Sequence, residues 1–164
     1  MIFCLFLLLA TALCVFLSIR RIVRFRKMME KPTHTLKFNG KTYPVCAKRY
    51  NLIQSALQGN EKAQYEIVTE YCDPDHLAQF IPDLCFFFTQ QLAQKEKDLG
   101  VLTQLGDLYF NGVGTETDTK KAADMYRKAL QLFDNPTPGL YIPQKTEEYR
   151  NFLQKTLQEY EGAK

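Results

Sequence analysis

Between Leu105 and Leu130 the chain reads LGDLYFNGVGTETDTKKAADMYRKAL, and this stretch constrains the fold more than any other. Leu105, Leu108 and Tyr109 recur at helical spacing and make one apolar stripe. Gly106 lies inside that helix, where glycine costs about 1 kcal/mol relative to alanine. Close approach of another backbone is the physical reason for a glycine there. Asn111-Gly112-Val113-Gly114 then stops the helix, since glycine adopts the left-handed conformation at a C-terminus without steric penalty. Asp118 or Thr117 is positioned to cap the next helix through its side-chain oxygen. That second helix carries Ala122, Met125, Tyr126, Ala129, Leu130 and Phe133 on one face. Ala122 and Ala129 let two helices approach, and Tyr126 fills the space between them.

The residues Leu105, Gly106, Tyr109, Gly112, Gly114, Asp118, Lys121, Ala122, Tyr126, Lys128 and Ala129 together resemble the Sel-1-like repeat family, a relative of the tetratricopeptide repeats. Thr115 stands where the family usually has valine, and Leu130 where it has alanine. The resemblance implies an α-helical solenoid that binds proteins, and it implies no catalytic residues. No strand signal precedes the glycines, so they do not read as a nucleotide-binding loop.

One such repeat cannot bury its face alone. Upstream, Ser55, Ala56, Gly59, Ala63, Ile67, Val68 and Tyr71 follow the same framework in degraded form, with Cys72-Asp73-Pro74-Asp75 in place of the glycine turn. Tyr71 and Tyr109 are 38 residues apart, near the period of these repeats. The sequence therefore predicts an all-α fold, with a clear repeat at 101–133 and a degenerate one at 48–97, inside a helical region covering 47–133.

Residues 1–19 carry no charged side chain, and as a helix they span roughly 28 Å, enough for a bilayer core. A cleaved signal peptide is the competing reading, but no basic residue precedes the apolar run. Residues 20–32 form a basic juxtamembrane segment: Arg20, Arg21, Arg24, Arg26, Lys27 and Lys31 face Glu30 alone. Positive charge stays on the cytoplasmic side, so a single-pass protein with a cytoplasmic C-terminal domain is expected. The same cluster can touch anionic headgroups, which makes residues 1–27 the expected contact with the bilayer.

Residues 33–46 hold Asn39-Gly40 between two alternating runs, a signal for a two-residue hairpin turn. Leu36, Phe38, Tyr43 and Val45 would cover one end of the solenoid, with Pro44 on an edge strand. Residues 47–72 read as two helices broken near Gly59-Asn60. Residues 74–97 read as helical, with a break at Ile81-Pro82; Phe80, Leu84, Phe87, Phe88 and Leu92 form the buried side. Within Phe86-Phe87-Phe88, core packing and an exposed binding anchor are both open readings. Residues 134–143 form a proline-rich loop, and Pro143 begins a final helix over 144–161. That helix carries Tyr149, Phe152, Leu153, Leu157 and Tyr160 on one face, suited to capping the array.

Apart from residues 20–31 the chain has 15 basic and 17 acidic side chains, which argues against nucleic-acid binding. Five cysteines without C-x-x-C spacing give neither a disulfide framework nor a zinc site; reduced thiols are expected. His34 and His76 are the only histidines. Asp73, Asp75 and His76 are a conceivable metal set, but helix capping explains Asp73 more simply. No H-E-x-x-H, G-x-S-x-G or phosphate-binding loop occurs. The expected function is therefore a non-catalytic, cofactor-free adaptor for one or more proteins. Asp107, Phe110, Asp124 and Arg127 are the candidate contacts, as exposed members of the repeat helices. A small subunit of a membrane complex, held mainly by residues 1–19, is the alternative. An enzyme built on Cys72 and His76 ranks last.

Overall fold

The computed structural model describes residues 32–70 and 80–162. The anchor expected at 1–19, most of the basic segment, and the candidate residues Tyr71, Cys72, Asp73, Asp75 and His76 lie outside the described residues. Within them the chain is mostly helical, with one two-stranded antiparallel sheet. No helix among the described residues is long and apolar enough to cross a membrane.

The sheet pairs β1 (His34–Phe38) with β2 (Lys41–Val45) in the register Leu36↔Tyr43 and Phe38↔Lys41. Asn39 and Gly40 have φ of 47° and 74°, the pair of positive values that a two-residue turn of this kind demands. This register puts Leu36, Phe38, Tyr43 and Val45 on one face, and Leu36 and Val45 are buried. Pro44 stays exposed, where its missing N–H costs nothing. Asp83 fastens the hairpin to the helices: its carboxylate accepts from Lys41 Nζ and from the Tyr43 hydroxyl, each at 3.1 Å. Phe38 meets Phe87 edge to face at 5.3 Å.

Six helices follow among the described residues: α1 (Ala47–Leu57), α2 (Glu61–Glu70), α3 (Pro82–Ala93), α4 (Leu99–Asn111), α5 (Thr119–Asp134) and α6 (Glu147–Gly162). Each packs against the next in sequence, α4 on α5 and α5 on α6 most extensively. Asn60 caps α2 by accepting from Ala63 N, and Pro82 opens α3, where its missing donor is harmless. Leu84, Phe88 and Leu92 of α3 are buried. Phe86 and Phe87 are half-buried, against Tyr109 and Phe38 respectively. The triple phenylalanine is thus built into the packing.

Two expectations need correction. The last helix starts at Glu147, not at Pro143, because the preceding loop is occupied elsewhere. Tyr141 donates its N–H to Lys97 O at 2.7 Å and accepts from Leu99 N at 3.0 Å, so the loop straps the start of α4. Thr146 Oγ1 then accepts from Tyr149 N and caps α6. The second correction concerns the thiols: Cys46 is free, but Cys85 is disulfide-bonded.

Candidate protein-binding groove

The seam between α4 and α5 is built on Gly106. A Cβ added there would lie 2.7 Å from the Tyr126 ring and 3.3 Å from Ala122 O. Ala122 and Ala129 are wholly buried in this seam, and Tyr126 is 1% exposed. At the turn, Gly112 has φ of 66° as the C-cap of α4. Gly114 has φ of 70°, and its absent Cβ leaves room for Phe86 and for the Pro82 carbonyl. The glycine turn therefore seats the α4–α5 hairpin on the start of α3. Asp118 caps α5 by accepting from Lys121 N at 2.9 Å, and that contact holds its carboxyl below the usual range. The α4 cap is Asp98, which accepts from Gly100 N and Val101 N.

The four candidate contact residues divide into two pairs. Asp107 Oδ1 accepts from the hydroxyls of Tyr126 at 2.9 Å and Tyr160 at 2.6 Å. Phe110 stacks on Tyr160 with ring centroids 4.0 Å apart. Both were expected to be exposed; the structure places them half-buried against α6, because the last helix brings a tyrosine to that face of α4. Burial, followed by Asp107, pushes both tyrosine hydroxyls well above their ordinary ionisation range. Asp124 and Arg127 are exposed and paired with each other, and Arg127 also reaches Glu161 of α6 at 2.6 Å.

On the opposite side of α4 lies an open groove of about 220 Å³. Leu102, Leu105 and Tyr109 make its floor, Gln90, Ala93 and Gln94 of α3 one wall, and Lys121, Asp124, Met125 and Lys128 of α5 the other. Of the four candidates only Asp124 lines it. The groove could have been found from the repeat of Gln90 with Gln94 four residues apart, and of Lys121 with Lys128 seven apart, each pair marking one helix face. Gln90 Nε2 donates to the Tyr109 hydroxyl at 3.3 Å, and the Lys121 ammonium stands 5.3 Å from the Tyr109 ring centroid. Lys121 also pairs with Asp118 and Lys128 with Glu96.

The titratable side chains lining this groove are Tyr109, Lys121, Asp124 and Lys128. Among the described residues no group of three His, Cys, Asp or Glu side chains could hold a metal ion. The floor is apolar and the walls carry amides and charges. Comparison with protein-family models, curated proteins and solved structures finds no match to this chain.

Proposed function

We propose that this chain is a membrane-anchored adaptor whose short Sel-1-like, tetratricopeptide-like solenoid binds protein through the groove floored by α4. The observation that carries the reading is the close α4–α5 seam, in which Gly106 leaves room for the Tyr126 ring. That spacing turns two amphipathic helices into a repeat unit with a free outer surface. Helices that contact mainly their sequence neighbours support the solenoid form. The hairpin covers one end of the array and α6 the other. The groove's apolar floor and polar rim are typical of a protein contact.

The test is affinity purification of the full-length chain in mild detergent beside the fragment 32–164. Recovery of the same partner by both supports the adaptor; a partner recovered only by the full-length chain shifts recognition to residues 1–31. The uncharged run at 1–19 favours one second reading, a membrane-complex subunit held by that segment. Exchanging residues 1–19 for an unrelated transmembrane helix separates the two, since an adaptor survives the exchange.

In this reading the basic flank keeps the domain on the cytoplasmic face. A disulfide at Cys85 belongs instead to oxidising surroundings. Labelling of Cys46 in intact cells by a membrane-impermeant maleimide, with a Cys46→Ser control, reads the side. Protection places the domain inside, and labelling places it outside.

A further inference from the structure

Charge is divided unequally along this chain. Residues 20–60 hold ten basic side chains and one acidic one, Glu30, whereas residues 61–164 hold 11 basic and 17 acidic. The described part of the basic stretch is the hairpin and α1, which contribute Lys37, Lys41, Lys48 and Arg49 and no carboxylate. The elements packed against them do not cancel this charge. Lys41 pairs with Asp83 of α3, and Glu61 of α2 pairs with Lys95. Counted with these partners and with Lys62, Glu66 and Glu70 of α2, six cations stand against four carboxylates. The glycine turn seated on the start of α3 is neutral, with Glu116 and Asp118 against Lys120 and Lys121. Arg49 is buried and engaged. Lys37 and Lys48 are exposed and make no ion pair among the described residues.

The strand register decides which way the hairpin presents its charge. Leu36, Phe38, Tyr43 and Val45 share the face turned to the helices, so Thr35, Lys37, Thr42 and Pro44 form the other, with Lys37 directly across from Thr42. All four are exposed. An ammonium group and two hydroxyls are donors suited to phosphate oxygens, and this face carries no carboxylate to repel an anion. The hairpin is also the first described element after the uncharged run. Fourteen residues, 20–33, separate Ile19 from β1, at most about 50 Å of chain. We propose, on the basis of the membrane-anchored reading, that the outer face of the hairpin and the start of α1 dock on anionic phospholipid headgroups of the bilayer that holds residues 1–19. Lys37 and Lys48 bind headgroup phosphates and continue the basic segment onto the folded domain. The same surface repels the acidic helices, so the domain is held in one orientation.

The test uses the full chain in lipid nanodiscs of phosphatidylcholine with and without phosphatidylserine. An uncharged amine-acetylating reagent is applied briefly, and the rate at each lysine is read by mass spectrometry. Lys155 of α6, whose side chain is 80% exposed, is the reference. Lys37 and Lys48 are expected to react at least about fivefold more slowly in discs containing phosphatidylserine, with Lys155 unchanged and the difference erased by high salt. Equal rates at Lys37 and Lys48 in the two discs overturn the proposal while leaving the anchor standing, since the chain is still in the disc. The double variant Lys37→Glu, Lys48→Glu, its fold checked by circular dichroism, separates docking from simple tethering, with Lys41 as its reporter. Lys41 is expected to be slowed by phosphatidylserine in the wild type and to react equally in both discs in the variant. Slowing of Lys41 that persists in the variant shows that the tether alone brings it near the surface, and overturns docking. A chain that enters neither disc defeats the anchored reading and the proposal with it.

Discussion

The hydroxyl of Tyr160 donates to Asp107 Oδ1 at 2.6 Å, joining the last helix to α4 across 53 residues of chain. The same oxygen accepts from Tyr126, so one half-buried carboxylate ties three helices together. An acceptor shared by two donors is costly to remove, because both hydroxyls are then left in poorly hydrated surroundings. Asp107→Ala is expected to destabilise the domain by about 2 kcal/mol, and Tyr160→Phe by about 1 kcal/mol. Asp107→Asn keeps an acceptor and should cost less than Asp107→Ala. Urea denaturation monitored by circular dichroism ranks the three; an Asp107→Ala variant with an unchanged midpoint would dismiss the network as a stabilising feature.

Gly106 offers a second prediction with two opposing effects. Alanine improves helix propensity by about 1 kcal/mol. Its Cβ would however lie 2.7 Å from the ring of Tyr126. That ring is buried and held by Asp107, and overpacking of this kind costs about 1–3 kcal/mol. Gly106→Ala should therefore lose about 1 kcal/mol on balance, and Gly106→Leu considerably more. In a double-mutant cycle, Tyr126→Leu should remove most of the Gly106→Ala penalty; strictly additive losses would show that the ring is not what the glycine accommodates.

Gly114 and Gly139 have similar backbone conformations, with φ of 70° and 82°, but different surroundings. A Cβ at Gly139 meets nothing within 4 Å, whereas one at Gly114 meets Phe86 Cβ at 2.8 Å and the Pro82 carbonyl. Gly139→Ala should cost about 1–2 kcal/mol, the backbone penalty alone. Gly114→Ala adds a collision with backbone that has no rotamer to change, and about 3 kcal/mol or more is expected. Comparable melting temperatures for the two variants would contradict the seating of the turn on α3.

Alkaline pH should destabilise the domain most through Tyr126 and Tyr160, with smaller contributions in the same direction from the half-buried Tyr43, Tyr65 and Tyr149. Tyr126 and Tyr160 both ionise above the ordinary tyrosine value in the folded state, through burial first and Asp107 second. The unfolded chain ionises these groups near pH 10. A raised folded-state value means that their contribution is complete below about pH 10 and is lost as pH rises beyond it. A melting temperature that declines above about pH 10 is the expected result, with a shallower decline in Tyr160→Phe. Equal slopes for the two proteins would remove Tyr160 from the account.

Local chemistry was legible where a residue has one physical use. Asn39-Gly40 announced a hairpin turn because few pairs accept two positive φ values, and Gly112 announced a helix end for the same reason. Gly106 announced a close neighbour because no helix gains from a glycine. Aspartate caps were readable at Asp118 and missed at Asp98, which no glycine turn precedes to mark the boundary. The start of α6 was misplaced at Pro143, since proline marks a helix start only when nothing else engages the chain, and here Tyr141 pairs with Lys97 and Leu99.

The sequence by itself determined the mostly helical class, the hairpin, the α4–α5 seam and the apolar faces, because these follow from backbone sterics and from side-chain periodicity along a few turns. Only the tertiary structure decided which side of each helix is free. Asp107 and Phe110 sit at polar or ambiguous positions of α4, and nothing local in their sequence foretells that α6 will cover them. The groove depends equally on distance: Gln90, Tyr109 and Lys121 come from three helices, and a surface shared by three elements exists only once all three have packed.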